Sequence, residues 1–332
     1  MRLLPWFKPF LDEYQRLYSS GRWPHAILLS ARFGCDIDNL TNFLAQSILC
    51  ETKAINLCGE CRNCKLLSSS AQSHPDLIVI EPEGLQESIK VETIRGLQNS
   101  LLTKSGYAQK TIVVIRQAHS MNESAANALL KILEEPNDSI FFILSSNEVS
   151  LIIPTVRSRV QVYDLKIKIE SIKPWIKSQM LAHHFDESRV TFDLLCRISS
   201  NAPGHIIAII KDKQILDLRD KFFLTVSKNE LFIETSEYSS KMDPNWVIYW
   251  WFTLITDLIH LKVDSANIEQ VINYDQITLL LAYVENKTLS TLFSTYNHLL
   301  KIKKMYLQHI NLNKQLMYEN LWLTMFGENN DT

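Results

Sequence analysis

The sequence predicts an α/β domain built on a parallel sheet, followed by an all-α remainder. Three observations carry that expectation. A strand–helix–strand unit occupies Lys110–Val160. A strand–loop–helix pattern precedes it at Ala26–Ile48. Beyond Leu218 the chain reads as helical and rich in aromatics, with Trp246, Tyr249, Trp250, Trp251, Phe252 and Trp322, and with no catalytic constellation.

Taken in order, Met1–Tyr18 reads as an amphipathic helix with Trp6, Phe7, Phe10, Leu11, Tyr14 and Leu17 near one face. Pro24-His25 precedes a short strand, Ala26–Leu29. A loop from Ser30 to Asn39 then enters a helix with Leu40, Phe43, Leu44 and Ile48 on its apolar side. Strand, loop, helix is where a phosphate-binding loop sits. Such a loop needs glycines for close backbone approach, a lysine for the phosphates and a hydroxyl for magnesium. Here one glycine remains, Gly34, while Ile37 takes the lysine place and Asp38 the hydroxyl place. Asp36 and Asp38 would repel phosphate. The other reading is an ordinary strand-to-helix turn.

Cys50, Cys58, Cys61 and Cys64 come next, the last three spaced C-x2-C-x2-C, with Gly59 easing the turn. Four thiolates at this spacing suit tetrahedral zinc, with no open position for substrate. Buried free thiols and an iron–sulfur cluster share the pattern. His74 could supply a fourth ligand, but Cys50 makes it unnecessary. Cys35 and Cys196 fall outside the spacing and read as plain thiols. The cysteine module is expected to staple an excursion between a helix and the strand Leu77–Ile80, with a further helix at Val91–Leu102.

Thr111–Ile115 and Ile140–Leu144 read as buried parallel strands. Between them, Asn122 caps a helix whose apolar face is Ala126, Leu129, Leu130 and Leu133, and Pro136 stops it. The first of these strands ends in Arg116-Gln117, where ATPases of this architecture carry acids for magnesium and the attacking water. Neither residue can hold magnesium or act as a base. The unit closes on a basic turn, Arg157-Ser158-Arg159.

Bulk properties narrow the function classes. A chain of 332 residues predicts two or three domains. A net charge of −2 gives no whole-molecule field for nucleic acid or anionic membranes. Pro5, Lys8 and Pro9 interrupt any apolar core of an export signal. Trp246–Leu261 is short for a membrane span and contains Asp257, so a buried or interface helix is expected. The expectation is a cytoplasmic protein, off the membrane, whose six cysteines are thiols or metal ligands rather than disulfides. A short disordered tail is expected near Gly327–Thr332. Leu165–Lys211 is expected to hold two or three short helices ending at Pro203-Gly204. His183-His184 reads as a solvated helix end, because adjacent residues do not share a helix face. Lys301–Lys304 reads as a solvated basic face, with a DNA phosphate contact as the alternative.

With those residues in view, the chain resembles the delta-prime subunits of the bacterial DNA polymerase III clamp loader, within the AAA+ clamp-loader group. The resemblance rests on Pro24-His25-Ala26, the four cysteines, His74-Pro75-Asp76, Ala125–Lys131 with Glu134-Glu135-Pro136, and Pro154–Arg159. Ala202-Pro203-Gly204 resembles a turn of the family's lid domain. Asn311 and Asn313, followed by Leu316 and Leu321, resemble the last helix of its collar. The resemblance implies an AAA+ domain with a degenerate phosphate loop at 1–164, carrying a zinc module at 50–64. It further implies a helical lid at 165–210 and a collar for oligomerisation at 211–332. It implies structural zinc on Cys50, Cys58, Cys61 and Cys64, no ATP on this chain, and no catalysis by the chain alone. The implied finger is Arg159, preceded by Ser158, acting on a neighbour's ATP, with Val160 where the family usually has Cys and Arg157 as the runner-up. Implied partners are motor subunits and a delta subunit in a ring-like hetero-oligomer of a DNA polymerase holoenzyme, a nucleotidyltransferase complex. That complex loads a sliding clamp onto primed DNA in replication. Two rivals stand: an ATP-hydrolysing motor subunit, and a zinc-dependent nucleic-acid-binding protein, whose DNA binding would need more positive charge.

Overall fold

The computed structural model describes residues 4–52, 57–68, 74–82, 88–103, 110–135, 139–228, 244–265, 267–307 and 320–325. The chain divides into two compact units, Met1–Trp175 and Ile176–Thr332.

Among the described residues, the first unit is built on five strands: β1 Ala26–Ser30, β2 Leu77–Ile80, β3 Thr111–Ile115, β4 Ile140–Ser146 and β5 Gln161–Asp164. All pairings are parallel, in the order β2-β3-β4-β1-β5. Residues of β3 are buried throughout, as a central parallel strand covered on both faces requires. The register pairs Thr111 with Ile140 and Ala26 with Phe142. Consequently β4 lies between β1 and β3, and the carboxyl ends of those three strands meet where open α/β sheets form their ligand crevice.

Around the sheet stand α1 Lys8–Ser19, α2 Ile37–Leu49, α3 Arg62–Ser68, α4 Val91–Thr103, α5 Glu123–Glu134 and α6 Pro154–Arg157. Leu40, Phe43, Leu44 and Ile48 of α2 are buried, as their spacing requires. The Asn122 side chain accepts the Ala125 N–H at 2.8 Å, the expected cap. Ala126, Leu129 and Leu133 join a buried cluster with Val113, Ile115, Phe142, Leu144 and Val160, and Leu130 packs against it. The helix ends at Glu134, and Pro136 lies outside the described residues.

Two expectations needed adjustment here. The first helix begins at Lys8 rather than near the terminus, after a short 3-10 turn over Pro5–Phe7. Proline has no N–H and fits only the first turn, which is where Pro9 falls. Trp6, Phe7, Phe10, Leu11 and Tyr14 are nonetheless buried. Strand β5 was not anticipated: its four residues are only partly buried at the sheet edge and show no strong apolar run.

After α7 Ile169–Ala182, the second unit contains α8 Phe192–Ile198, α9 Pro203–Lys211, α10 Gln214–Lys228, α11 Pro244–Val263, α12 Ile277–Glu285 and α13 Leu289–Leu307. Residues 320–325 are also helical. Pro203 and Gly204 open α9 rather than ending a helix, because proline's fixed φ suits the first helical position. His183 and His184 are exposed just past α7, a helix end as expected. Trp250 and Trp251 are buried in α11, the core reading of the aromatic surplus. Asp257 of the same helix is fully buried and accepts from Ile272 N, Asn273 N and Asn273 Nδ2, each at 2.8 Å. Arg219 of α10 is buried and donates a fork to Asp275 at 2.8 Å on each arm. Among the described residues, no helix is long and apolar enough to cross a membrane. Asn311, Asn313, Leu316 and the 327–332 tail lie outside the described residues, whereas Leu321 is buried.

Candidate functional site

Three structures in the first unit bear chemistry: the loop between β1 and α2, the turn after α6, and the cysteine cluster.

The loop from Ser30 turns through Gly34 at φ 83° and Asp36 at φ 54°. That conformation is free for glycine and costs a residue with a Cβ on the order of 1 kcal/mol. Asp36 occupies the N-cap position of α2 but makes no capping bond with its side chain. Ile37 is 7% exposed and packs inward, so the lysine place offers a phosphate nothing. Asp38 sits in the first turn of α2, where the helix dipole favours an anion of the protein's own and its charge repels one from outside. Burial raises the pKa of the Asp38 carboxyl above the usual carboxylate range, with Arg116 pulling it back and Asp36 pushing further up.

Arg116 follows β3 directly. Its Nη1 donates to Glu81 Oε2 at 2.5 Å and its Nη2 to Asn42 Oδ1 at 2.8 Å. Its Nε stands 3.9 Å from Asp38 Oδ1, and Ser145 Oγ, at the end of β4, donates to the same oxygen at 3.4 Å. An intact site of this kind sets lysine and hydroxyl on the helix against acids on the strand. Here the helix carries the acid and the strand carries the cation. Gln117, exposed at φ 47°, adds no charge. The sequence located Arg116, Gln117, Ile37 and Asp38; it gave no sign of Glu81 and Asn42, which reach the guanidinium across 35 and 74 residues of chain.

At the far end of α5, the single helical turn α6 leads into Ser158 and Arg159. Ser158 Oγ donates to the Thr155 carbonyl at 3.0 Å. Arg159 Nη1 donates to that same carbonyl at 3.0 Å and to Ser158 Oγ at 3.3 Å. Arg159 Nη2 pairs with Glu134 Oε1 at 2.5 Å, with the two side chains 35% and 48% exposed. Arg157 is exposed, and no ion pair involves it among the described residues. Val160 is buried in the sheet-and-helix cluster, so it replaces a small apolar side chain by another without facing solvent. In the sequence Glu134 stands out only as part of Glu134-Glu135-Pro136, and nothing there marks it as a partner of Arg159.

The four cysteines converge between α2 and β2. Cys50 caps the C-terminus of α2, Cys58 and Cys61 flank a turn through Gly59 at φ 72°, and Cys64 belongs to α3. All four sulfurs lie within 4.8 Å of one another. The Cys50–Cys58, Cys50–Cys64 and Cys58–Cys64 separations are 3.6, 3.6 and 3.8 Å. Those match the edge of about 3.8 Å that a tetrahedron with Zn–S near 2.3 Å requires, and they exclude disulfides, whose S–S bond is about 2.05 Å. The Cys61 N–H donates to Cys58 Sγ at 3.3 Å, and backbone donors of this kind draw the Cys58 thiol down to about 6. Cys35 and Cys196 are buried apart from this cluster; burial pushes the Cys35 thiol up to about 11, which suits an inert residue.

His74 stands outside the sulfur cluster as a brace. Its Nδ1 accepts the Asp76 N–H at 3.1 Å, which places the proton on Nε2, facing Asn63 Oδ1 at 3.1 Å. Asn63 Nδ2 in turn donates to the Leu49 carbonyl at 2.8 Å. The chain His74–Asn63–Leu49 ties the residue beside Cys64 to the residue beside Cys50.

Comparison with known proteins gives one consistent family. Residues 8–168 match the family model described as DNA polymerase III, delta subunit, and residues 212–326 match the one described as DNA polymerase III, delta subunit, C terminal. DNA polymerase III subunit delta' of Escherichia coli is 25% identical over 328 residues, 97% of this chain and 95% of that protein. The delta' subunit of Haemophilus influenzae is 33% identical over 178 residues, 53% of this chain and only 54% of that relative's length. DNA polymerase III subunit gamma/tau of Mycobacterium bovis is 26% identical over 197 residues, 58% of this chain and 33% of that protein.

Proposed function

We propose a stationary, trans-acting role for this chain, which belongs to the delta-prime family of DNA polymerase III subunits. In this reading it is a clamp-loader subunit with no ATPase site of its own. It supplies Arg159 to ATP held by a neighbouring motor subunit, and it helps the assembly place a sliding clamp on primed DNA.

The charge inversion at the crevice carries the reading. Arg116 sits where a magnesium-binding acid is needed, and its charge is already matched by Glu81 and Asp38. A nucleotide would have to displace that pairing while meeting Asp36, Asp38 and no lysine. The protein's own guanidinium supplies the positive charge that magnesium would bring. Partial identity to a gamma/tau subunit does not weigh against this, because the residues that hydrolysis needs are the ones missing.

Arg159 supports the other half. It is partly exposed, on a turn between α6 and β5 tied to the Thr155 carbonyl, and a planar guanidinium can take two phosphate oxygens at once. Ser158 braces the turn through Thr155 rather than acting chemically. Zinc on Cys50, Cys58, Cys61 and Cys64 would be structural: four protein thiolates close the coordination shell, tie α2 to α3, and leave no position for water or substrate. The expected lid (165–210) and collar (211–332) remain part of the proposal, with a delta subunit and motor subunits as the partners the collar would hold.

The test is nucleotide binding by the purified chain. With magnesium and ATP at millimolar concentration, no saturable binding and no hydrolysis are expected, while co-purified motor subunits hydrolyse ATP in its presence. Tight ATP binding or turnover by the chain alone would restore the motor reading.

A further inference from the structure

We infer that Glu134 is a positioning residue for Arg159, holding the finger in a parked state that the neighbour's phosphate must displace. The inference deepens the trans-arginine reading and rests on it.

Both terminal nitrogens of Arg159 are occupied within the chain. Nη2 faces the Glu134 carboxylate at 2.5 Å, and Nη1 faces the Thr155 carbonyl and the Ser158 hydroxyl at 3.0 and 3.3 Å. A bidentate grip on phosphate uses the same donors, so phosphate and carboxylate compete for one guanidinium. Glu134 is the last residue of α5, whose buried face fixes the helix against the sheet; α6 holds the other end of the contact through buried Val156. The carboxylate therefore stands at a set distance from the finger. It also places a negative charge beside the path of a negative ligand. Only a neighbour that delivers its phosphate in the right place, with further contacts to offset the loss, takes Arg159 from Glu134. The pair thus restrains hydrolysis in the assembled ring until DNA and clamp bring the neighbour's phosphate to the finger.

The test uses the complete complex of this chain with its motor and delta partners, measuring ATP turnover with and without primed DNA and clamp. Glu134→Gln is expected to raise kcat without DNA by about two- to fivefold, the range over which an exposed ion pair biases an equilibrium. Turnover in the presence of DNA and clamp is expected to stay unchanged, because the finger is engaged there in any case. Glu134→Asp is expected to fall between the two. Combining Glu134→Gln with Arg159→Ala is expected to give the Arg159→Ala rate alone. A purely structural role for Glu134 would instead lower turnover in both conditions, along with thermal stability. If Glu134→Gln or Glu134→Asp lowers the DNA-free rate or leaves it unchanged while Arg159→Ala reduces stimulated turnover, the parking role is wrong and the finger stands. If Arg159→Ala itself changes nothing, the trans-arginine reading falls and the parking role falls with it.

Discussion

Arg116 and Asp38 face one another, 3.9 Å apart, with the signs of their charges exchanged relative to a working nucleotide site. Arg116 is a structural cation, paired with Glu81 as well as Asp38. Arg116→Ala would leave Asp38, Asp36 and Glu81 near one another without a counter-charge. The side chain is 21% exposed and its partners more so, so the loss is expected to be modest, about 1 kcal/mol by urea denaturation. ATP binding should not appear in the variant, because removing the plug restores neither the lysine nor the magnesium ligand.

The cysteine cluster predicts one zinc per chain by elemental analysis of protein purified without chelator. Cys61→Ser should abolish stoichiometric metal. An iron chromophore, or four titratable thiols with no metal, would contradict the assignment. His74→Phe removes the acceptor for a buried backbone N–H and breaks the link to Asn63. Zinc affinity in that variant is expected to fall about tenfold or more, as measured by competition with a chromophoric chelator.

His205 gives the second unit a pH dependence. Its ring is buried against Trp246 and Tyr249, and burial holds its pKa down at about 4, against 6.5 for a free histidine. The unfolded chain therefore takes up a proton at a pH where the folded unit does not. Stability from the neutral, buried ring is fully present above about pH 6.5 and is lost as pH falls toward 4, by at most about 3 kcal/mol. Urea denaturation followed by tryptophan fluorescence should show this slope. His205→Leu should flatten it; an unchanged slope would place the titration elsewhere.

Much of this molecule was legible in its sequence because several of its strands are local signals. Thr111–Ile115 and Leu77–Ile80 are short, wholly apolar or β-branched runs, and their limits agree with the structure to the residue. Cys50, Cys58, Cys61 and Cys64 were legible because metal spacing is local as well. Long-range pairings were not. Nothing near Arg116 in the chain marks Glu81 or Asn42 as its partners, and nothing in the Glu134-Glu135 dipeptide says which carboxylate reaches Arg159. β5 escaped notice because an edge strand needs no continuous apolar run. A proline in a helical stretch suggests a stop, whereas the fixed φ of Pro203 starts a helix.

The measurement that bears most directly on the central claim is ATP turnover by the reconstituted clamp-loader complex carrying Arg159→Ala in this chain. The variant is expected to assemble normally and to lose DNA- and clamp-stimulated turnover at the neighbouring site by roughly three orders of magnitude, the contribution typical of an arginine supplied in trans. Turnover equal to wild type in a correctly assembled complex would contradict the account and move the role to Arg157.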